Sequence, residues 1–182
     1  MSKIAAKVQK KLKPLKALVM DCDGILTDGQ VWQGENGEWI RAYSILDGMG
    51  LKLLLKNDFI LGVITGSKGK DIKDRCNHLG VQHLYQGIED KKPVFDNFLK
   101  QTNLKASEVA YIGDDFPDIP VLKEVGFSAS VPHAFANVLK HVDYVTKREG
   151  GYGAVRELCD LLLQHSAHCQ QKNNSKNKKQ KK

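Results

Sequence analysis

The sequence predicts an α/β protein: a Rossmann-like, doubly wound parallel sheet with a β-hairpin flap directly after its first strand. Three observations lead there. Short continuous apolar runs alternate with amphipathic segments of helix length, the pattern of strands buried on both faces and the helices that cover them. Three of those runs end in small polar or acidic clusters, Asp21-Cys22-Asp23, Thr65-Gly66-Ser67 and Gly113-Asp114-Asp115. An Asn36-Gly37 pair lies between two short segments holding Val31, Trp32, Trp39, Ile40 and Tyr43, which is a hairpin signal.

Taken in order, "ALVMD" (17–21) is a buried strand, followed by the hairpin within 29–43. Segment 47–58 reads as a helix through Leu51, Leu54 and Leu55, and "FILGVIT" (59–65) as a second buried strand. Residues 69–80 form a helix that Gly80 closes as a C-cap. "VQHLYQG" (81–87) is a short strand, 92–103 a helix, 108–115 a strand ending in acids, and 117–126 a short helix. "FSASV" and "YVT" are further strands, and "AVRELCDLLLQH" is a closing amphipathic helix. In such sheets ligands gather beyond the carboxyl ends of the strands, where the three polar clusters fall.

A chain of 182 residues suits one domain with a core of its own. No stretch approaches the roughly 20 apolar residues of a membrane span, and the basic N-terminus lacks the apolar core of a signal peptide. Four scattered cysteines without a CxxC pair fit free thiols in a reducing compartment, so a cytoplasmic protein is expected. The net charge of +7 is unevenly placed. Six lysines lie in 1–16 and six in 171–182, with no acid in either; the rest carries 16 basic against 21 acidic residues. The division expected is a basic N-terminal segment (1–14), a folded body (15–168) and a disordered Lys-rich tail (169–182). The tails read first as solubilising ends and only second as contacts for nucleic acid or another polyanion, since no aromatic interleaving accompanies them.

The acidic strand ends carry the chemistry. Asp21 and Asp23 on one strand meet Asp114 and Asp115 on another only if a cation lies between them, and oxygen-only ligands favour Mg²⁺. The plainer reading makes these acids helix caps, Asp114 starting the helix at 117, but leaves two acidic strand ends unexplained. Carboxylates with a metal, a hydroxyl (Thr65) and a lysine suit a phosphoryl group: one carboxylate attacks phosphorus to give an aspartyl-phosphate while the cations neutralise its charge. Receiver domains of response regulators share this inventory, but their phosphoacceptor lies one strand beyond the acidic pair. Here that strand ends in Thr65 with no acid, so the nucleophile belongs to the Asp-x-Asp itself.

"DCDGILTDG", "VITGS", the lysine of "EDKK" and "GDDFPD" resemble, in order and spacing, the four motifs of the haloacid dehalogenase superfamily. Longer segments over residues 15–165 are similar to its capless branch, in which a short hairpin stands where relatives insert a cap domain. The resemblance implies a Mg²⁺-dependent phosphatase whose subunits form a homotetramer and help close one another's sites. Its implied substrate is a small acidic sugar phosphate, 3-deoxy-D-manno-octulosonate 8-phosphate, whose dephosphorylation feeds lipopolysaccharide synthesis. A nine-carbon keto-acid sugar 9-phosphate is the alternative substrate, and a catalytically idle oligomerisation domain the alternative role.

By position, the resemblance implies that Asp21 is the nucleophile and Asp23 the acid and base. The carboxylates of Asp21 and Asp114 and the backbone carbonyl of Asp23 would hold Mg²⁺, with Asp115 or Asp118 supporting its water shell. Thr65 and Lys91 would hold the phosphoryl group; spacing does not separate Lys91 from Lys92, and the family's "DK" pair favours Lys91. Sugar contacts would come from Asp23, Ser44, Ile45, Leu46, Asp47, Gly48, Lys52, Ser67, Arg75 and Lys91. Arginine is common in the family where this chain has Leu46, Lys52 and Ser67, and Lys68 or Lys70 would compensate. Asp28 is expected to fix the turn into the hairpin, Cys22 to fill space, and Trp32 and Trp39 to pack at a subunit interface. The six histidines, His133 among them, read as structural or exposed. The glycine-rich stretch 148–157 reads either as a turn before a helix or, by the resemblance, as cover for a neighbouring site with Arg156 beside it.

Overall fold

A computed structural model describes residues 6–170. The elements are α1 (Ala6–Leu12), β1 (Ala17–Met20), β2 (Trp32–Gln33), β3 (Trp39–Ile40), α2 (Ile45–Leu55), β4 (Ile60–Thr65), α3 (Lys70–Leu79), β5 (His83–Gln86), α4 (Lys91–Thr102), β6 (Val109–Ile112), α5 (Ile119–Leu122), β7 (Phe127–Ser130), α6 (Ala136–Leu139), β8 (Tyr144–Val145) and α7 (Ala154–His165). Six strands form one parallel sheet in the order β5-β4-β1-β6-β7-β8, and β2 pairs with β3 as a separate antiparallel hairpin. This is the expected architecture, with the flap where the Asn36-Gly37 turn put it.

β1 is apolar on both faces because both are covered: Ala17, Leu18, Val19 and Met20 are all fully buried. The strand order reverses there, since the chain builds β4 and β5 on one side of β1 and then β6 to β8 on the other. Register sets Met20 beside Val63 and Ile112. One residue later, the Asp21 amide donates to the Ile112 carbonyl at 3.0 Å. The carboxyl ends of β1, β4 and β6 therefore finish side by side at a topological switch point.

The helix layers follow from the same periodicity. α2 packs on α7, with α1 and α3 beside them, while α4 packs on α5. Gly50 permits the close α2–α7 contact, since a Cβ there would lie 2.9 Å from Arg156 Cδ and 3.0 Å from Cys159 Cβ. α3 ends at Gly80 in the left-handed conformation, as its sequence predicts. α2 starts two residues before the predicted helix because the Ser44 side chain accepts from the Asp47 amide as an N-cap. The predicted helix over 117–126 is a 3-10 turn (Phe116–Asp118) running into the short α5.

Two segments depart from expectation. The basic N-terminal region contains α1, and Leu12 and Leu15 are fully buried. The Ser166 hydroxyl donates to the Leu15 carbonyl at 2.8 Å and the Ala167 amide to that of Lys13 at 3.0 Å, so the two ends of the described chain are joined. Cys169 is also buried, so burial continues into what the sequence reads as tail. Two leucines among lysines are too thin a pattern to reveal this docking. α6 was likewise too short to be legible. The expected disorder of 171–182, and the first five residues, lie outside the described residues.

Asp47 requires a correction. It is predicted as a sugar contact, yet its carboxylate is buried and accepts from the amides of Gly153 (3.3 Å) and Arg156 (2.7 Å). It thus satisfies the first turn of α7, whose own N-cap, Gly153, has no side chain to do so. Burial pushes its carboxyl pKa up and those amides oppose the shift. Asp47→Ala should lower unfolding stability by about 1–3 kcal/mol, the cost of leaving buried donors unpaired. Urea unfolding at constant pH measures it, and a loss below about 0.5 kcal/mol would contradict this role.

Candidate active site

Four elements converge at the switch point. Asp21 directly follows β1, and its Oδ1 accepts from the Cys22 amide at 2.7 Å. Lys91, the first residue of α4, lies with Nζ 3.0 Å from Asp21 Oδ1 and 2.7 Å from Asp118 Oδ1. All three side chains are almost wholly buried. Lys92, which spacing left open, points elsewhere and pairs with Asp96 and Glu124.

Asp118 organises the loop after β6. Its Oδ1 also accepts from the Tyr111 hydroxyl at 2.6 Å, and its Oδ2 accepts from the amides of Asp114 and Asp115, each at 3.1 Å. Asp115 instead accepts from the Phe116 amide and faces outward. Of the two residues suggested to support a metal's water shell, Asp118 is therefore the one beside the cluster.

Oxygens of Asp21, Asp114 and Asp118 lie within 4.8 Å of one another. Asp114 Oδ1 is buried without a hydrogen-bond partner among the described residues, an expensive state for a carboxylate oxygen. Burial and the neighbouring Asp118 raise the pKa of Asp21 to about 8, despite Lys91, and that of Asp114 to about 6. Gly24 lets the loops after β1 and β6 meet: its φ is +81°, and a Cβ there would stand 2.1 Å from Asp114 Oδ2. An orphaned oxygen, an all-oxygen donor set and excess negative charge fit a hard divalent cation such as Mg²⁺.

A pH dependence follows. Both carboxyls hold their protons to higher pH when folded than when unfolded, so their contribution is most favourable at or below the ordinary carboxylate range. It is lost as pH rises from about 4 through about 6 and 8. In chelator the melting temperature should fall across that window, and Mg²⁺ should raise it more at pH 8 than at pH 5. An equal Mg²⁺ effect at both values would contradict the cluster as the cation site.

Asp23 points away from this cluster. Its Oδ1 accepts from Arg41 Nε at 2.6 Å and its Oδ2 from the Ser67 hydroxyl at 2.7 Å. Arg41, just past β3, also donates to Ser67 Oγ (2.8 Å) and to Asp71 (3.2 Å). Thr65 is buried at the end of β4 and accepts from the Ser67 amide at 3.1 Å. Beside these residues opens a cavity of about 840 Å³, lined by Asp23, Trp39, Arg41, Ser67, Lys68 and Lys70 among others.

The predicted sugar contacts divide. Ser67 and Asp23 line this cavity, whereas Ser44, Ile45, Leu46, Gly48, Lys52 and Arg75 do not. Arg75 donates to the Ser44 carbonyl at 2.9 Å and lies 5.6 Å from the Tyr43 ring centroid. Lys52 Nζ is 3.4 Å from His78 Nε2, and Ile45 and Leu46 are exposed. Sequence reasoning missed Arg41, Asp71 and Tyr111; Arg41 did carry a signal, being the one basic residue within 29–43. His133, read as structural or exposed, is exposed; its ring pairs with Glu149 and approaches Asp114 Oδ2 at 3.9 Å. Asp28 does fix its turn, accepting from the Gln30 amide at 3.0 Å. The Tyr152 hydroxyl and the Gly151 amide tie the glycine-rich turn onto the same loop, at Asp28 Oδ2 and the Ile25 carbonyl.

Fold and site together define a hydrolase of the haloacid dehalogenase-like class, whose family model matches residues 81–158. The chain is 42% identical over 160 residues to the 3-deoxy-D-manno-octulosonate 8-phosphate phosphatase KdsC of Escherichia coli K12, an alignment covering 88% of this chain and 85% of that one. The corresponding Yersinia pestis enzyme is 40% identical, with 88% and 86% covered. The crystal structure of the Yersinia pestis phosphatase superposes with a TM-score of 0.88 at 38% identity, covering 92% of this chain and 90% of that one. The Moraxella catarrhalis phosphatase, in complex with magnesium, phosphate and KDO, gives a TM-score of 0.88 at 35% identity, with 94% and 99% covered. The chain belongs to the 3-deoxy-D-manno-octulosonate 8-phosphate phosphatase family.

Proposed function

We propose that this phosphatase hydrolyses 3-deoxy-D-manno-octulosonate 8-phosphate through an aspartyl-phosphate on Asp21, releasing the sugar acid for lipopolysaccharide synthesis. The observation that carries the mechanism is the separation of two carboxylates on one loop. Asp21 is buried against Lys91, and Asp23 faces the cavity beside Arg41 and Ser67.

Asp21 attacks phosphorus, and the bond from phosphorus to the sugar oxygen breaks as Asp23 delivers a proton to that oxygen. Asp23 then takes a proton from the water that attacks the aspartyl-phosphate, and inorganic phosphate leaves as Asp21 is restored. Lys91 and Thr65 hold the phosphoryl oxygens, and Asp118 fixes Lys91. Asp21, Asp114 and the Asp23 carbonyl would hold Mg²⁺, which would supply charge neutralisation that also favours ionised Asp21.

The phosphatase domain, expected over 15–168, is taken to extend to the buried Leu12 and Cys169, and the protein to be cytoplasmic, in keeping with the buried free thiols of Cys22, Cys76 and Cys159. Exposed Val31, Trp32, Trp39, Ile40, Ile45, Leu46 and Met49 support self-association, which is read as the homotetramer that the family resemblance implies. Steady-state phosphate release on the eight-carbon substrate, on nine-carbon keto-acid sugar 9-phosphates and on neutral hexose phosphates tests the assignment. Preference for the eight-carbon substrate by at least about 10-fold in kcat/KM is expected, roughly 1.4 kcal/mol of discrimination. Comparable turnover on all of them would defeat the narrow substrate, and no turnover on any would indicate an idle oligomerisation domain.

A further inference from the structure

We propose that Arg41 is a positioning residue for the acid-base carboxylate, coupling the hairpin flap to Asp23. The proposal rests on the phosphatase reading above and assigns a role to a residue that the sequence motifs pass over.

The guanidinium of Arg41 is almost wholly buried although it stands at the end of an exposed hairpin strand, where arginine ordinarily remains in water. Its donors are divided among three partners. Nε donates to Asp23 Oδ1 at 2.6 Å, one terminal nitrogen to Ser67 Oγ at 2.8 Å, and the other to Asp71 at 3.2 Å. The Ser67 hydroxyl in turn donates to Asp23 Oδ2 at 2.7 Å. Both oxygens of Asp23 are thereby fixed by a closed ring of Arg41, Ser67 and Asp23.

The ring is anchored from behind. Asp71, near the start of α3, accepts from Arg41 and from the Tyr43 hydroxyl at 3.1 Å. Two residues just past the flap's second strand are thus tied to one carboxylate of the sheet domain. The planar guanidinium is required for this, because a lysine ammonium cannot hold Asp23, Ser67 and Asp71 in one fixed fork. Displacing the flap would displace Arg41, and with it the orientation of the Asp23 carboxyl group.

Protonation by Asp23 matters in proportion to how poor the leaving group is. An alkoxide needs the proton, whereas an aryl phosphate such as p-nitrophenyl phosphate leaves without one. The test compares kcat/KM, which reports the steps through departure of the leaving group, on three esters: the acidic sugar phosphate, a neutral alkyl phosphate lacking a carboxylate, and p-nitrophenyl phosphate. In Arg41→Met both alkyl esters should fall by about 10²-fold while the aryl ester falls by less than about 5-fold. Asp71→Asn should give the same pattern at about 10-fold. A fall confined to the acidic sugar phosphate would mean that Arg41 binds the substrate carboxylate, and an equal fall on all three would mean a structural role; either overturns the proposal. Melting curves in parallel identify an unfolded variant, and Asp71→Asn then decides by the same three-ester pattern. Wild-type enzyme inactive on all three would instead defeat the phosphatase reading, so the two failures are distinguishable.

Discussion

Asp21→Asn should abolish phosphate release, lowering kcat by at least about 10⁴-fold, because an amide cannot form the aspartyl-phosphate. The loss should come without a loss of stability. Burial and Asp118 act against the ionised Asp21 more strongly than Lys91 supports it. Removing that charge in chelator at pH 8 should leave the melting temperature equal or raised, since Lys91 retains Asp118 at 2.7 Å. Mg²⁺ should also stabilise this variant less than wild type, one carboxylate having left its site. Phosphate release surviving within 10-fold of wild type, measured with about 10 turnovers of substrate, would contradict Asp21 as nucleophile.

Lys91→Met is expected to damage both the catalyst and the fold. Lys91 is the cation that reaches both Asp21 and Asp118, and its side chain is 4% exposed. Deleting one partner of a buried charge cluster typically costs about 3–5 kcal/mol, because the remaining charges stay buried. The penalty should be largest near pH 8 in chelator. It should shrink as pH falls, because the carboxylates can then take up protons instead of remaining as unpaired charges. Activity should fall by about 10²–10³-fold beyond the loss of folded protein, the usual cost of removing a donor from a developing oxyanion. Lys92→Met should change neither by a comparable amount, since Lys92 pairs with Asp96 and Glu124. Urea unfolding and phosphate release on both variants provide the comparison.

The parts legible in the sequence were those that local rules dictate. A strand buried on both faces must be apolar throughout, and "ALVM" is; a tight turn between strands favours Asn-Gly, and the flap has it. Strand ends carrying aspartates without local partners announced the site, and the order of four motifs narrowed its chemistry. What stayed hidden depends on partners distant in sequence. Asp47 looks like a surface acid near a ligand, yet its partners, Gly153 and Arg156, lie more than 100 residues away. Arg41 reads as an ordinary solvated hairpin charge until the flap folds over Ser67 and Asp71. The same limit explains α1, whose docking depends on Ser166 and Ala167 at the far end of the domain.

Arg41 and Lys91 also divide the cationic work. In the proposed mechanism Lys91 would hold the side of the nucleophile, beside Asp21, and Arg41 would orient Asp23 on the side where the sugar oxygen leaves. Asp21 and Asp23 are only two residues apart, yet each is held by a cation from a different element, α4 in one case and the flap in the other. In the proposed mechanism these separate surroundings on one loop would let two identical side chains perform different chemistry.

The proposed mechanism turns on covalent transfer of the phosphoryl group to Asp21. The most direct test quenches the enzyme in acid during turnover of 3-deoxy-D-manno-octulosonate 8-phosphate, reduces any acyl phosphate with borohydride, and maps the modified residue by peptide mass spectrometry. Reduction confined to Asp21, absent without substrate and absent in Asp21→Asn, is the expected result. Rapid phosphate release with no acyl phosphate at Asp21, or with the modification on Asp23 or Asp114, would contradict it.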